Sequence, residues 1–148
     1  MISTRILETL WIISLARSVS AQSVQIAVTN GGVGLLGDNV INMTCTTSGV
    51  ATGNIVTVTL MKRSTTIATF RINPEQSKII DGADIAGRAA LIPSTVGSDF
   101  VAGVNIQSVV CADAAEYQCR LNYLDSNFDT QSVTSKSSMT VEVAASPL

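Results

Sequence analysis

The amino-acid sequence predicts an all-β protein, an antiparallel β-sandwich of one domain. Short segments rich in Val, Ile and Thr are separated by clusters of Gly, Asn, Asp and Ser, which is typical of strands joined by turns. Helical periodicity is weak, with at most one turn at residues 81–85. The length of 148 residues suits one hydrophobic core, and no internal repeat or long linker divides the chain.

The predicted strands are segments in which apolar and polar residues alternate. The first ends at the turn sequence Asn30-Gly31-Gly32, and the third should place Val56, Val58 and Leu60 on one face with threonines on the other. Residues 37–40 are expected to turn into the second strand, with a bulge. The predicted strands are residues 23–29, 40–44, 55–61, 66–72, 88–92, 100–106, 116–123 and 132–143.

The N-terminus has the composition of a secretory signal peptide. Arg5 precedes an apolar stretch, and Val19-Ser20-Ala21 places small residues at the −3 and −1 positions of a cleavage site before Gln22. We therefore expect residues 1–21 to be a signal peptide and residues 22–148 to form a secreted, extracellular domain.

A short buried helix is the alternative for this segment, because Glu8 and Arg17 interrupt its apolar run. No later segment approaches the roughly 18 apolar residues of a membrane span, so no membrane span is expected.

Composition argues against several classes of function. The sequence contains no histidine, which removes the usual acid/base side chain at neutral pH and the commonest metal ligand. We expect no enzymatic activity, no metal site and no cofactor. The net charge of −2 without a basic stripe makes a nucleic-acid partner unexpected. Three cysteines without a C-x-x-C pair fit one disulfide and one leftover thiol.

Residues 113–119 carry a recognisable family motif. Asp113-Ala114-Ala115-Glu116-Tyr117-Gln118-Cys119 matches D-x-A-x-Y-x-C, the pattern that opens strand F of immunoglobulin domains. The chain therefore resembles the immunoglobulin superfamily, and the resemblance implies an immunoglobulin-like V-type antiparallel β-sandwich. The inward positions of strands B and E and of the E–F turn match Ile41, Met43, Val104, Ile106 and Val109.

The resemblance also implies roles for individual residues. Cys45 and Cys119 should form the disulfide between the sheets, and their separation of 74 positions leaves room for the C′ and C″ strands of V-type domains. Tyr117 should form the tyrosine corner, with its hydroxyl bonded to backbone. Arg88 should pair with Asp113, although an ordinary solvated arginine is the alternative.

The sequence departs from the family pattern in strand C and strand G. Leu60 stands where a core tryptophan packs on the disulfide, so Met43 or Phe70 must fill the lost volume or a void remains. The strand-G glycine motif is missing, which argues against antigen-receptor chains. A weaker resemblance links the chain to the N-terminal immunoglobulin domains of invertebrate secreted lectins, the molluscan fibrinogen-related proteins. That resemblance depends on Cys111 in the E–F turn, the missing strand-C tryptophan and secretion.

Cys111 and Asn42 each have more than one interpretation. Cys111 is expected either to form an intermolecular disulfide with a partner or to remain a free, partly buried thiol; mispairing with Cys45 is a third outcome. Asn42-Met43-Thr44 is the only N-x-S/T sequence, and Asn42 should face solvent, which predicts glycosylation. An unmodified outward strand residue is the alternative.

The resemblance implies ligand contacts on the loops at the B–C, C′–C″ and F–G end of the sandwich, and the residues singled out lie on the F–G hairpin at residues 123–131. Phe128 stands there among Asp125, Asn127 and Asp129, and recognition loops combine aromatic rings with adaptable polar groups in this way. A plain polar turn needs the same residue types. Calcium binding by these side chains is not expected, because the glycine and distal glutamate of an EF-hand loop are absent.

These observations predict an extracellular recognition module in innate immune defence that binds a protein or glycan ligand. The alternative is a cell-adhesion or structural subunit that forms a homodimer through the G-F-C-C′ sheet face or through Cys111.

Overall fold

A computed structural model describes residues 21–37, 41–72 and 76–142. Residues 1–20 of the predicted signal peptide, residues 38–40 of the predicted turn and bulge, and residues 73–75 and 143–148 lie outside the described residues.

Of the described part of the chain, 64% lies in β-strands and none in an α-helix. Short 3₁₀ turns occur at Thr29–Gly32, Thr52–Asn54 and Cys111–Asp113. No helix there is long and apolar enough to span a membrane. The strands are β1 (Ser23–Val28), β2 (Val33–Leu35), β3 (Ile41–Ser48), β4 (Ile55–Lys62), β5 (Thr65–Arg71), β6 (Gln76–Ile79), β7 (Ala89–Val96), β8 (Phe100–Ile106), β9 (Ala115–Leu124) and β10 (Thr130–Glu142).

The strands form two sheets. One has the order β1-β3-β8-β7 and the other the order β2-β10-β9-β4-β5-β6. Neighbouring strands are antiparallel except β2 and β10, which are parallel. In immunoglobulin letters, the strands are A, A′, B, C, C′, C″, D, E, F and G in chain order. The prediction of an antiparallel β-sandwich is confirmed.

The chain changes sheets between β1 and β2, at a turn that requires glycine. Gly32 has a φ of +87°, and a Cβ at this position would lie 2.5 Å from the carbonyl oxygen of Ser138 on β10. Both the backbone conformation and the close approach exclude a side chain there. This turn lets β2 pair with β10 and extend the second sheet.

Inward side chains of both sheets form one core. Leu60 is fully buried and lies opposite Cys119 in the register of β4 and β9. Met43 and Phe70 are buried in the same cluster. Leu60 therefore takes the strand-C position opposite the disulfide, and Met43 and Phe70 belong to the same core.

The predicted orientation of Val56 is wrong. The pairing of β4 with β9 is irregular between Ile55 and Thr57, so Val56 lies outside the regular alternation. Its side chain is 44% exposed, whereas Ile55 takes the inward position that faces Tyr123. An extra residue at a bulge shifts the period-two pattern by one position. Ile55 and Val56 are adjacent and both apolar, so the sequence does not show which of the two faces the core.

Strand D is longer than predicted and carries a proline. β7 extends to Val96, and its register against β8 shifts between Ile92 and Thr95, around Pro93. Because β7 is an edge strand, the missing N–H of proline is tolerated there.

Candidate recognition site

A disulfide joins the two sheets in the core of the sandwich. Cys45 on β3 and Cys119 on β9 are bonded, with their Cα atoms 5.8 Å apart. Both residues are fully buried. The bond connects the central region of each sheet and fixes the strands that carry the loops.

The E–F turn, which includes Cys111–Asp113, closes one end of the sandwich. The hydroxyl of Tyr117 donates to the carbonyl oxygen of Asp113 at 2.7 Å, the geometry of a tyrosine corner. Burial raises the pKa of Tyr117, so this hydroxyl keeps its proton as a donor.

Arg88 holds the same turn through a bidentate ion pair. Its two terminal nitrogens lie 2.9 and 2.8 Å from the carboxylate oxygens of Asp113, which is fully buried. The carboxylate also accepts from the backbone N–H of Val110 at 2.9 Å. Burial by itself would raise the pKa of Asp113, but the hydrogen bonds from Arg88 and Val110 and the positive charges of Arg88 and Lys62 outweigh it, so the pKa of Asp113 is lowered.

The B–C and F–G loops enclose a cleft at the other end of the sandwich. The cleft has a volume of about 360 Å³ and extends from the N-terminal segment to the F–G hairpin. Its lining residues are Gln22, Gly49, Val50, Ala51, Asn54, Tyr123, Leu124, Asp125 and Ser126. The prediction placed binding at this end of the sandwich but named residues only on the F–G hairpin; the cleft adds B–C loop residues, none of which is aromatic or charged.

Asp125 organises the F–G hairpin. One carboxylate oxygen accepts from the backbone N–H groups of Asn127 and Asp129 at 2.8 and 3.0 Å, and the other accepts from the side-chain amide of Gln131 at 2.9 Å. These hydrogen bonds, that of Gln131 first, lower the pKa of Asp125. Both oxygens of this carboxylate are used within the hairpin, so Asp125 shapes the loop.

Phe128 lies at the tip of the hairpin with its side chain 77% exposed. The N–H of Phe128 donates to the carbonyl of Asp125 at 3.0 Å, and the N–H of Asp125 donates to the carbonyl of Asp129 at 3.0 Å. Residues 125–128 therefore form a tight turn. Phe128 itself ends this turn with a φ of +62°, a backbone conformation that favours glycine. Asn127 and Asp129 are exposed on either side of Phe128.

The remaining predicted site residues lie away from the cleft. Cys111 is a free, exposed cysteine in the E–F turn. Asn42 is exposed on β3, where its Oδ1 accepts from Nδ2 of Asn105 at 2.7 Å. Within the described ranges, no group of three or more His, Cys, Asp or Glu side chains is placed to hold a metal ion.

Comparison with known proteins establishes the fold. No protein-family model matches the chain, and no curated protein matches its sequence. Among solved structures, murine CRIg, an immunoglobulin V-type domain protein, is similar with a TM-score of 0.62 and 15% identity, over 83% of this chain and 99% of that chain. The predicted immunoglobulin-like V-type fold is confirmed.

Proposed function

We propose that this chain is an extracellular recognition module in innate immune defence and that it binds its ligand at the loop end of the sandwich, around Phe128. The V-type fold supports a binding role, since the loops of such domains are their usual recognition elements. The assignment to immune defence follows the resemblance to the immunoglobulin domains of secreted invertebrate lectins.

The observation that carries the proposal is the conformation of Phe128. A bulky residue at positive φ costs roughly 1 to 2 kcal/mol relative to the ordinary backbone regions, and glycine would avoid that cost. The ring is also exposed, so it contributes little to the core. Strained and exposed aromatic residues are found at binding sites, where the ring removes apolar area from water when a partner arrives.

Neighbouring groups support ligand contact. The hydrogen bonds of Asp125 pre-order the hairpin, which reduces the entropy lost on binding. Asn127 and Asp129 offer exposed polar groups beside the ring, and the cleft next to the hairpin offers a concave surface.

Phe128→Ala is expected to weaken binding by about 1 to 3 kcal/mol with little change in stability, because an exposed anchor acts at the interface. Binding of the labelled mature chain to fixed bacterial and yeast cells, and to animal cells for the adhesive alternative, would measure this. Val110→Ala is the control: Val110 is an exposed apolar residue of the E–F turn, at the opposite end.

A sharp fall in melting temperature with unchanged binding would contradict this role for Phe128. Recognition would then be moved to the outward sheet residues Arg120 and Asn122; Gln118, which precedes them on the same face, is buried. Binding to animal cells alone, or a Cys111-dependent dimer on a non-reducing gel, would favour the adhesive subunit over the immune module.

Secretion is the second part of the proposal. The secreted chain is expected to begin at Gln22, where the cleavage pattern ends, and to carry a glycan on Asn42, whose Nδ2 has no hydrogen-bond partner among the described residues. Intact mass of the protein from culture medium, before and after glycosidase treatment, would measure both. Absence of the protein from the medium would overturn secretion, a mass that includes Met1 would overturn cleavage before Gln22, and a mass unchanged by the glycosidase would overturn the glycan.

A further inference from the structure

The cations of the domain are unevenly distributed. Seven Lys and Arg residues follow Gln22 in the sequence, and all seven are described. Four of them have protein partners: Lys62 pairs with Asp84, Arg88 with Asp113 and Lys136 with Glu116, while Arg63 donates to the carbonyl of Ala114. The other three are Arg71, Lys78 and Arg120, whose side chains form no hydrogen bond or ion pair with any described residue.

These three cations share one face of the six-stranded sheet. In the register of β6, β5, β4 and β9, Lys78 lies opposite Thr69, Thr69 opposite Thr59, and Thr59 opposite Arg120. Lys78 and Arg120 therefore end one continuous row across four strands, about 14 Å apart at the usual strand spacing. All of these residues point away from the core, because the next residues along β4, Val58 and Leu60, are fully buried.

Arg71 extends the row along the strand direction. It lies two residues from Thr69 on β5 and opposite Gln76 on β6. Thr69, Arg71, Gln76 and Lys78 line a shallow cleft of about 230 Å³. The three cations thus form an elongated positive surface, which we call the cationic face and define by Arg71, Lys78 and Arg120.

Among the residues that the structure describes, no acidic side chain belongs to the rows that carry this surface. The residues between and around the cations are hydroxyl and amide side chains: Thr57, Thr59, Thr69, Gln76, Asn122, Ser132 and Thr134. On the same sheet, the carboxylate of Glu116 faces Lys136, and that of Asp125 is bound by its own hairpin. A chain with a net charge of −2 therefore concentrates unneutralised positive charge on one surface.

The chemistry of this surface selects among possible occupants. Stable protein interfaces are anchored by buried aromatic or large aliphatic side chains. Among β4, β5, β6, β9 and β10, the only exposed large apolar side chain is that of Val56, at the bulge where β4 begins. A second copy would bring like charges together across a two-fold axis. Cations among hydroxyl and amide groups instead complement a hydrated chain that carries both anionic groups and hydroxyls.

We propose that the cationic face binds a sulfated polysaccharide. Arg71 and Arg120 would hold sulfate groups by paired N–H donors, Lys78 would contribute a point charge, and the threonine and amide side chains between them would bond to sugar hydroxyls. The distance between Lys78 and Arg120 requires an extended ligand with several sulfate groups. This site is separate from Phe128 and does not depend on the function proposed for the loop end.

Dextran sulfate and uncharged dextran of the same length are the probes, immobilised for a binding assay with the purified mature chain. Dextran sulfate is expected to bind and dextran is not. A tenfold rise in salt should weaken binding about 100-fold, as for a protein that neutralises three charges of a flexible polyanion. Lys78→Gln, Arg71→Gln and Arg120→Gln should each weaken it about fivefold, and the triple variant about 100-fold, from the usual contribution of one basic residue near an anionic surface.

Lys136→Gln is the matched control, because it removes the same charge from the same sheet at a cation that already pairs with Glu116. Its affinity should stay within about twofold of the wild type. Lys78→Arg and Phe128→Ala should both retain binding. Equal losses from Lys136→Gln and Lys78→Gln, or full binding by the triple variant, would overturn the proposal. So would binding of poly-glutamate as tight as that of dextran sulfate, since that would indicate an acidic polypeptide.

Discussion

Replacing both Cys45 and Cys119 with alanine is expected to lower the free energy of unfolding by about 2 to 5 kcal/mol. The bond closes a loop between positions 74 apart, and the chain-entropy model assigns roughly 4 kcal/mol to a loop of that size. Small domains have only about 5 to 15 kcal/mol of stability in total. The double variant should therefore be secreted poorly and unfold at a much lower urea concentration.

Cys111→Ala is the control for this measurement. Its thiol is exposed and free, so the substitution should change the free energy of unfolding by less than about 0.5 kcal/mol. Removing both bonded cysteines together prevents an unpaired buried thiol from exchanging with Cys111. Peptide mapping that found Cys111 joined to Cys45 in the wild-type protein would contradict the pairing.

The sequence contained enough local signal to predict most strands and the E–F turn. The alternation of β3, β8 and β9 is regular, and the motif at residues 113–119 combines the tyrosine corner, the buried aspartate and one bonded cysteine in one short segment. Strands β2 and β6 were missed, because these short edge strands are held by pairing with β10 and β5, which no local pattern shows. Val56 was misplaced for a similar reason, since the bulge is defined against β9.

The candidate sites could be predicted only in part. Phe128 stands out as an aromatic residue in a turn sequence, but its positive φ arises from the hairpin geometry and cannot be read from its neighbours. The cationic face was missed altogether. Lys78 and Arg120 belong to strands β6 and β9. Only the combined register of three strand pairings, β6 with β5, β5 with β4 and β4 with β9, brings them into one row. Whether a cation has a partner likewise depends on residues distant in sequence.

Replacing Arg88 with methionine is expected to destabilise the domain by about 3 to 5 kcal/mol at pH 7, because it leaves the buried carboxylate of Asp113 without its counter-charge. Methionine keeps much of the side-chain volume, so lost packing contributes little. Chemical denaturation of the purified proteins at neutral pH would measure the difference. Lys136→Met is the control, since its ion pair with Glu116 is exposed and should contribute at most about 1 kcal/mol.

The same pair predicts how the difference depends on pH. The folded-state pKa of Asp113 is lowered, so its contribution to stability is present above the unfolded-state value of about 3.9 and is lost as the pH falls through the folded-state value. In Arg88→Met the burial of Asp113 is no longer offset, and its pKa should rise. Acidification should therefore destabilise the wild type more than the variant, and the gap between them should narrow from pH 7 to pH 3. A gap below about 1 kcal/mol at pH 7 that does not change with pH would show that Arg88 behaves as an ordinary solvated arginine.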